Sequence, residues 1–482
     1  MFSMTILTEK HIKHICISSF NIMVVMNLLR DYQKDVYDRT REAFREGYKA
    51  PLVVLPCRSG KSYVMKAMTE AANKKENHVL ILAHRLSLIR QHKELFSDID
   101  WNLTRIESVF TEVRHLGENG PVDLIIIDEA HLASASSYMK VCQYYNCPIV
   151  GYTGSPARLD GKPLSLFDKL IIGISADELI KRGKISSYSY YAPDLNIDFS
   201  SVKKTAGDYN NLQLGKVMNS KKIYGDILKY YKLLANGKNA IAYCTNVAHS
   251  KEVCKLFNDN NISAKHIDAT TPEEEREEIL NDFEQGKFKI LCNCNLISEG
   301  ITLPSAEVCL MLRKTASLPL FIQQGCRALT PVEGKTAIII DYVNNIQNFG
   351  FPTSKRFWSL DSKVKEYDNE NDDGTLKIRI CQECFRTFLT APVCPYCGAE
   401  YKSTEQEIQN FREIELKKVE EERQAKKQKY LDEMAEKVKN YKSINECKTW
   451  TEMTEYAKKM GFKPGYAYIM AKKKGIYIPK GG

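Results

Sequence analysis

The stretch Leu124-Ile125-Ile126-Ile127-Asp128-Glu129-Ala130-His131 decides the fold. Four branched aliphatic residues in succession read as a strand buried on both faces, the pattern of parallel sheets. Two carboxylates and a histidine follow at once. In open α/β sheets, ligands bind just beyond the carboxyl ends of the strands. An acid placed there can hold Mg²⁺, and a neighbouring acid can act on water.

Working upstream, Pro51-Leu52-Val53-Val54-Leu55 is a second short buried strand, followed by Pro56-Cys57-Arg58-Ser59-Gly60-Lys61-Ser62. A helix is predicted over 63–75. Strand, tight loop, Gly-Lys-Ser and helix form the context of a phosphate loop, in which backbone N–H groups and the helix N-terminus cradle phosphate oxygens. Lys61 then reaches the β- and γ-phosphates, and the Ser62 hydroxyl joins Asp128 as a Mg²⁺ ligand. Leu55 stands where the usual motif has its first glycine, so only the second half of the motif matches. A Gly-Lys-Ser at an ordinary helix start is the competing reading. Val79–Ala83 is a further strand leading into His84-Arg85, a basic strand end suited to a phosphate backbone or to a solvated loop. Pro148–Tyr152 is another, ending in Thr153-Gly154-Ser155-Pro156-Ala157-Arg158. Strands alternating with helices imply a parallel sheet with right-handed crossovers.

At 482 residues, the length suggests roughly three domains. The 43% hydrophobic and 27% charged content is that of a globular chain able to bury sizeable cores. No apolar run reaches the ~18 residues of a membrane span, so no membrane partner is expected. Residues 1–28 read as an N-terminal extension that need not belong to the working protein, which would begin near Met26. The 15 cysteines are scattered, and several sit in apolar runs (Cys244, Cys292, Cys309), where a free thiol packs as a small hydrophobe. This usage points to a reducing, cytoplasmic compartment.

The second half repeats the α/β alternation. Strands are expected at Ala240–Cys244, Ala264–Ile267, Lys289–Asn293, Val308–Leu312 and Ala337–Ile340, with helices at 247–258 and 272–283. The second of these opens on Pro272 with Glu273 to Glu275 in its first turn, which favours the positive helix end. Leu166 to Pro193 is a connection with mixed signals in which strands can start from Ile185-Ser186 onward, and Asp194 to Gly215 reads as a loop.

Phosphate loop, Asp-Glu-Ala-His box and Thr-Gly-Ser-Pro-x-Arg segment, in this order and spacing, resemble a superfamily 2 helicase of the DEAH type. Within that family the pattern is similar to bacterial and phage helicases related to the type III restriction helicase subunit. The resemblance covers residues 29 to 350 and implies tandem RecA-like domains at 29–193 and 194–350. It implies that Gln33 reads adenine, that Glu129 positions or deprotonates the attacking water, and that His131, Thr153 and Ser155 couple hydrolysis to nucleic-acid grip. Ser298-Glu299-Gly300-Ile301-Thr302-Leu303-Pro304 resembles the segment that senses both nucleic acid and nucleotide. Gln323-Gln324-Gly325-Cys326-Arg327-Ala328-Leu329-Thr330 resembles the Gln-x-x-Gly-Arg-x-x-Arg segment. An arginine there neutralises charge on the transferred phosphoryl group. Two positions depart from the pattern: Cys326 replaces the glycine and Thr330 replaces the second arginine, usually the finger. Arg327 is the retained candidate, with Arg313 or Lys314 as substitutes.

After a linker over 351–378 comes Cys381-x-x-Cys384, nine residues, then Cys394-x-x-Cys397. Four thiolates at this spacing suit tetrahedral Zn²⁺ in a closed structural site, a zinc ribbon over 379–402. An iron site of the same geometry and unmetallated cysteines are the competing readings. Residues 403–445 read as a long charged helix. Residues 446–482 form a small basic helical module. From Lys437 onward, eleven lysines face three glutamates, so this end carries +8 of the net charge of +9. Lysines interleaved with Tyr466, Tyr468 and Tyr477 suit phosphate contact and stacking, or simply a solvated basic pair of helices.

The fold expected is therefore α/β: two tandem RecA-like domains with parallel sheets, a zinc ribbon and a basic helical tail. The function expected is an ATP-dependent DNA helicase or translocase using ATP, magnesium and zinc. A partner nuclease or a replication or repair protein fits the same reading. A degenerate ATPase clamping nucleic acid, or an RNA helicase, are the alternatives.

Overall fold

The computed structural model describes residues 29–133, 135–205, 207–294, 296–297, 301, 303–361, 365–366, 378–401, 433, 441, 443–463 and 465–479. The extension over 1–28 and the charged segment predicted at 403–445 lie outside this set, apart from isolated positions. The chain divides into two compact units, with the boundary between Leu389 and Thr390.

The larger unit is built on two six-stranded sheets. The first contains β1 (Pro51–Val54), β2 (Val79–Ala83), β3 (Thr104–Ser108), β4 (Leu124–Ile127), β5 (Ile149–Thr153) and β6 (Lys169–Ile172) in the order β3-β2-β4-β5-β1-β6. Every pairing is parallel. The unbroken apolar runs follow from burial on both sides. Val53, Ile81, Ile126 and Val150 point into one core with the helices Asp31–Arg45 and Lys61–Asn73. Leu52, Leu82, Ile125 and Ile127 point into the other, against Tyr138 and Val141 of the helix Ser136–Tyr145. Each such fully buried side chain is worth roughly 1.5–3 kcal/mol.

The second sheet contains β7 (Ser187–Tyr191). After a small hairpin of β8 (Lys204–Thr205) and β9 (Asp208–Tyr209), it continues with β10 (Ala240–Tyr243), β11 (Ala264–Ile267), β12 (Ile290–Asn293), β13 (Val308–Met311) and β14 (Thr336–Asp341). Its order is β11-β12-β10-β13-β14-β7, again all parallel. Ile241, Leu291, Met311 and Ile339 face one core, and Ala242, Cys292, Leu310 and Ile340 the other.

Several boundaries differ from the sequence expectation. β7 pairs with β14, so the second domain begins before residue 187 rather than at 194. Only strand pairing, which periodicity does not report, assigns it. The segment 194–215, expected as a loop, holds the β8–β9 hairpin and the start of the helix Asn211–Met218. The helix after the phosphate loop starts at Lys61, two residues earlier than expected. The first part of the expected linker is packed rather than free. Thr353 and Arg356 are buried, the Arg356 guanidinium donates to the Phe349 and Phe351 carbonyls, and Leu164 N donates to Leu360 O.

In the smaller unit, the helices Trp450–Lys459 and Tyr466–Lys474 close on their own core of Met453, Tyr456, Ala457, Ala467 and Ala471. Among the described residues, no helix is long and apolar enough to cross a membrane.

Candidate nucleotide site and interdomain cleft

Parallel register brings the strand ends of the first sheet together. Leu55 N donates to Thr153 O, and Asp128 N donates to Leu82 O. The phosphate loop, the acidic box and the Thr153 segment therefore emerge side by side. The loop turns into its helix at Gly60, whose φ of 82° is left-handed. A Cβ there would stand 2.5 Å from Gln33 Nε2, so glycine is required. Arg58 also adopts a left-handed backbone (φ 67°), a conformation that costs a non-glycine residue roughly 1–2 kcal/mol and that persists mainly at functional sites.

Gln33 holds the loop from outside. Its Nε2 donates to Ser59 O at 2.8 Å, and its Oε1 accepts from Arg30 N at 2.9 Å, which caps the helix Asp31–Arg45. The Tyr32 hydroxyl donates to the same Ser59 carbonyl at 3.1 Å.

Lys61 and the acidic box share one pocket. Burial disfavours the Lys61 ammonium, but the charges of Cys57, Glu129 and Asp128 outweigh it and hold its pKa above the ordinary value. Burial would likewise raise the Asp128 carboxyl, yet it lies below its usual range. The opposing causes are a hydrogen bond and charge from His92, then Lys61 and the Glu129 N–H. His92 Nε2 stands 2.8 Å from Asp128 Oδ2, with both side chains buried. His92 was not singled out from the sequence. Its only signal is a histidine on the buried face of the helix Leu86–Leu95, beside Leu88 and Ile89.

From the box a polar chain runs to the Thr153 segment. Glu129 Oε2 lies 3.5 Å from His131 Nδ1, and His131 Nδ1 lies 3.1 Å from Thr153 Oγ1. Thr153 Oγ1 donates to Ser155 O and accepts from Ser155 N. The four residues named from sequence as hydrolytic and coupling groups are thus contiguous.

The second domain faces the loop through its arginine segment. The Cys326 thiol stands first among the groups that favour the Cys57 thiolate. With the Lys61 and Arg327 charges, this holds the Cys57 thiol well below its ordinary pKa and pushes Cys326 up. The Arg58 guanidinium is lowered to about 10, first by burial and then by the Arg327 charge. Arg327 Nη1 donates to Ile301 O at 2.7 Å. Its charge also acts on Lys61.

The substitutes proposed for it are engaged elsewhere. Arg313 pairs with Asp208 at 3.1 Å, and the buried Lys314 ammonium donates to the Val343 and Asn344 carbonyls. Thr330 accepts at its carbonyl from the Ser186 hydroxyl. Asp208, which the sequence did not mark, also accepts from Thr315 Oγ1 and Ala316 N. Ser298, Glu299 and Gly300 lie outside the described residues.

A cavity of ≈ 730 Å³ opens between the domains. Arg85, His131, Arg158, Asp208, Arg313 and Gln323 line it. His131 belongs both to this wall and to the chain leading back to Glu129. Gln324 is buried beside Gln323. Arg85 Nε donates to His84 Nε2 at 3.2 Å.

The family described as "Helicase conserved C-terminal domain" matches residues 223–330, and "Type III restriction enzyme, res subunit" matches residues 27–102. A "51.5 kDa protein" of Lactococcus phage (isolate 7-9) is 33% identical over 77% of this chain and 83% of its own length. The chain belongs to the superfamily 2 helicases. It is a nucleic-acid-dependent ATPase of that family, related to restriction enzymes. The "Putative ATP-dependent helicase IRC3" of Saccharomyces cerevisiae is 29% identical over 71% of this helicase and 55% of its own length, so the chain spans about half of that relative. In fold, the helicase is similar to the fragment structure of a putative HsdR subunit of a type I restriction enzyme from Vibrio vulnificus. The TM-score is 0.54 at 20% identity, covering 67% of this chain and 66% of the other.

The cysteine segment forms two turns of the same design. Cys381 N donates to Arg386 O, and Phe385 N donates to Cys381 O. Cys394 N donates to Ala399 O, and Gly398 N to Cys394 O. The residue four beyond the first cysteine is left-handed in both, Phe385 at 59° and Gly398 at 76°. The ligand atoms of Cys381, Cys384, Cys394 and Cys397 all lie within 4.8 Å of one another. That spacing and an all-thiolate donor set fit one tetrahedral metal ion.

Proposed function

We propose that this helicase is an ATP-driven DNA translocase or helicase whose nucleotide site lies between its two sheets. One observation carries the reading: Lys61, Asp128, Glu129 and Arg327 converge from both domains, and Glu129 connects through His131 to Thr153 and the wall of the basic cleft. The loop residues Pro56, Cys57, Arg58, Ser59 and Gly60, with the helix N-terminus at Lys61, surround the phosphates. Ser62 and Asp128 would hold Mg²⁺, which supplies charge neutralisation on the phosphate oxygens. Asp128 is kept ionised and oriented by His92. Glu129 orients the attacking water and accepts its proton. Arg327 faces the phosphate loop from the second domain, so turnover depends on domain closure. Gln33 links the loop to the start of the first domain and borders the adenine.

His131, Thr153 and Ser155 pass changes at Glu129 to the cleft, where Arg85, Arg158 and Gln323 meet the phosphate backbone. The family resemblance gives Ser298, Glu299 and Gly300 a role in sensing nucleotide and nucleic acid. Kinship with restriction enzymes favours DNA as the track. Cys381, Cys384, Cys394 and Cys397 hold a structural Zn²⁺, and the lysine-rich helices after residue 446 add a second contact to phosphates.

The test is steady-state ATP hydrolysis with no nucleic acid, single-stranded DNA, duplex DNA or RNA, beside a Glu129→Gln control. Stimulation by DNA that disappears in the control is expected. Stimulation by RNA alone overturns the DNA assignment. Full hydrolysis by Glu129→Gln overturns the catalytic assignment.

A further inference from the structure

Two cysteines that lie far apart in sequence meet across the nucleotide site. Cys57 sits in the phosphate loop of the first domain and Cys326 in the arginine segment of the second, where the family pattern has glycine. Cys57 packs against the hydrophobic core that contains Cys326. Among the groups around them, each of the two sulfurs acts first on the other's titration. A Cβ on Gly154 would lie 3.3 Å from Cys57 Sγ and 3.6 Å from Lys61 Nζ, so the Cys57 sulfur and the Lys61 ammonium crowd the same glycine. The charges of Arg58 and Arg327 act on both sulfurs. Cationic surroundings favour the thiolate, the nucleophilic form of cysteine. Both residues are free thiols in the structure.

Another thiol pair, Cys254 and Cys292, makes a similar contact. It lies within the second domain, on a helix and a strand of one core, and its oxidation would tie no domains together.

We propose that Cys57 and Cys326 are a reversible disulfide site, oxidised by a peroxide, that clamps the phosphate loop to the arginine segment and stops ATP turnover. The Cys57 thiolate attacks one peroxide oxygen and the O–O bond breaks. This leaves a sulfenic acid on Cys57 and releases hydroxide, which becomes water on taking up a proton. Cys326 sulfur then attacks the sulfenic sulfur, the S–O bond breaks, and a second water departs with the Cys326 proton. Two electrons pass from the sulfurs to the peroxide. A dithiol reductant reverses the reaction by exchange. With the bond in place the two domains cannot separate at this point, so the opening needed for nucleotide exchange fails.

The experiment uses the full chain, reduced or treated with hydrogen peroxide. Free thiols are then alkylated, and the protein is digested without reduction for peptide mass spectrometry. ATPase is measured on the same samples before and after dithiothreitol. The expected result is a linked peptide pair carrying Cys57 and Cys326, with loss of ATPase that dithiothreitol restores. In Cys326→Ser and Cys326→Ala the linked pair cannot form, and the unresolved sulfenic acid on Cys57 should be trapped as a dimedone adduct. Absence of the linked pair overturns the proposal. So does a Cys326 variant in which dimedone finds no sulfenic acid on Cys57, which would place the sensitive thiols elsewhere, as in the four-cysteine cluster. The linked pair is read without any activity, so a chain that hydrolyses no ATP overturns the proposed function and leaves this site standing.

Discussion

His92 Nε2 lies 2.8 Å from Asp128 Oδ2, with the two side chains 1% and 6% exposed. A buried carboxylate next to a lysine is poised to hold a cation only if something fixes its orientation. His92 does so from a neighbouring helix. Replacing the partner of a metal-binding carboxylate typically lowers metal affinity about 10–100-fold. For His92→Ala, a rise of that order in the Mg²⁺ concentration needed for half-maximal ATPase is expected, with secondary structure intact by circular dichroism. An unchanged Mg²⁺ requirement would mean that His92 merely fills space.

Gly151 lies at the centre of β5, where the strand passes under Phe167 and Ala130. A Cβ there would stand 2.5 Å from Phe167 Cε1 and 2.8 Å from Ala130 Cβ. Overpacking of a closed core costs typically about 1–3 kcal/mol. Gly151→Ala should therefore lower the denaturation midpoint in urea. Because Ala130 lies between Glu129 and His131, ATPase should fall more than the loss of folded protein explains. An equal fall in the two would show the strain to be purely structural.

Burial depresses the His249 imidazole to about 4, from an unfolded value of 6.5. No charged group contributes to the shift. Its Nδ1 sits 3.0 Å from Thr245 Oγ1. Between those two values the unfolded chain binds a proton that the folded chain refuses, so stability falls as pH drops from about 6.5 towards 4 and is fully present above 6.5. The shift corresponds to on the order of 3 kcal/mol. Melting curves of the chain and of His249→Gln, compared across this range, isolate the contribution. The variant should lose the steeper part of the acid dependence.

Phe385 and Gly398 occupy the same left-handed position in the two cysteine turns. The first turn accepts a phenylalanine because its ring packs edge-on against Tyr230, with centroids 5.1 Å apart. Ala192 N also donates to Phe385 O. One turn is thereby pinned to the second domain. Chelation of the metal, or Cys384→Ser, should release about one equivalent of zinc per chain, read by elemental analysis. Melting temperature should fall, while nucleotide binding at the distant phosphate loop persists. Zinc content unchanged in Cys384→Ser would remove that residue from the ligand set.

Much of this molecule is legible in its residues. The short apolar runs at 51–55, 79–83, 124–127 and 149–153 read as double-faced strands because they are too short for helices and are bounded by loop residues. The placement of Lys61, Asp128, Glu129, His131, Thr153 and Ser155 beyond those strands follows from parallel topology. The doubled Cys-x-x-Cys spacing also reads directly, since chelation by near neighbours is a local property.

Tertiary structure alone decided the rest. β7 belongs to the second sheet because it pairs with β14, and a short strand carries no mark of its partner. Asp208 in a two-residue strand pairs with Arg313 in the wall of the cleft. His92 reaches Asp128 only because helix and strand pack at one depth. Cys57 and Cys326, 269 positions apart, become neighbours only when the two sheets face each other. Periodicity and local motifs report what a segment buries and how it turns. Which distant groups then share a hydrogen bond depends on how whole layers pack, and no window of sequence contains that information.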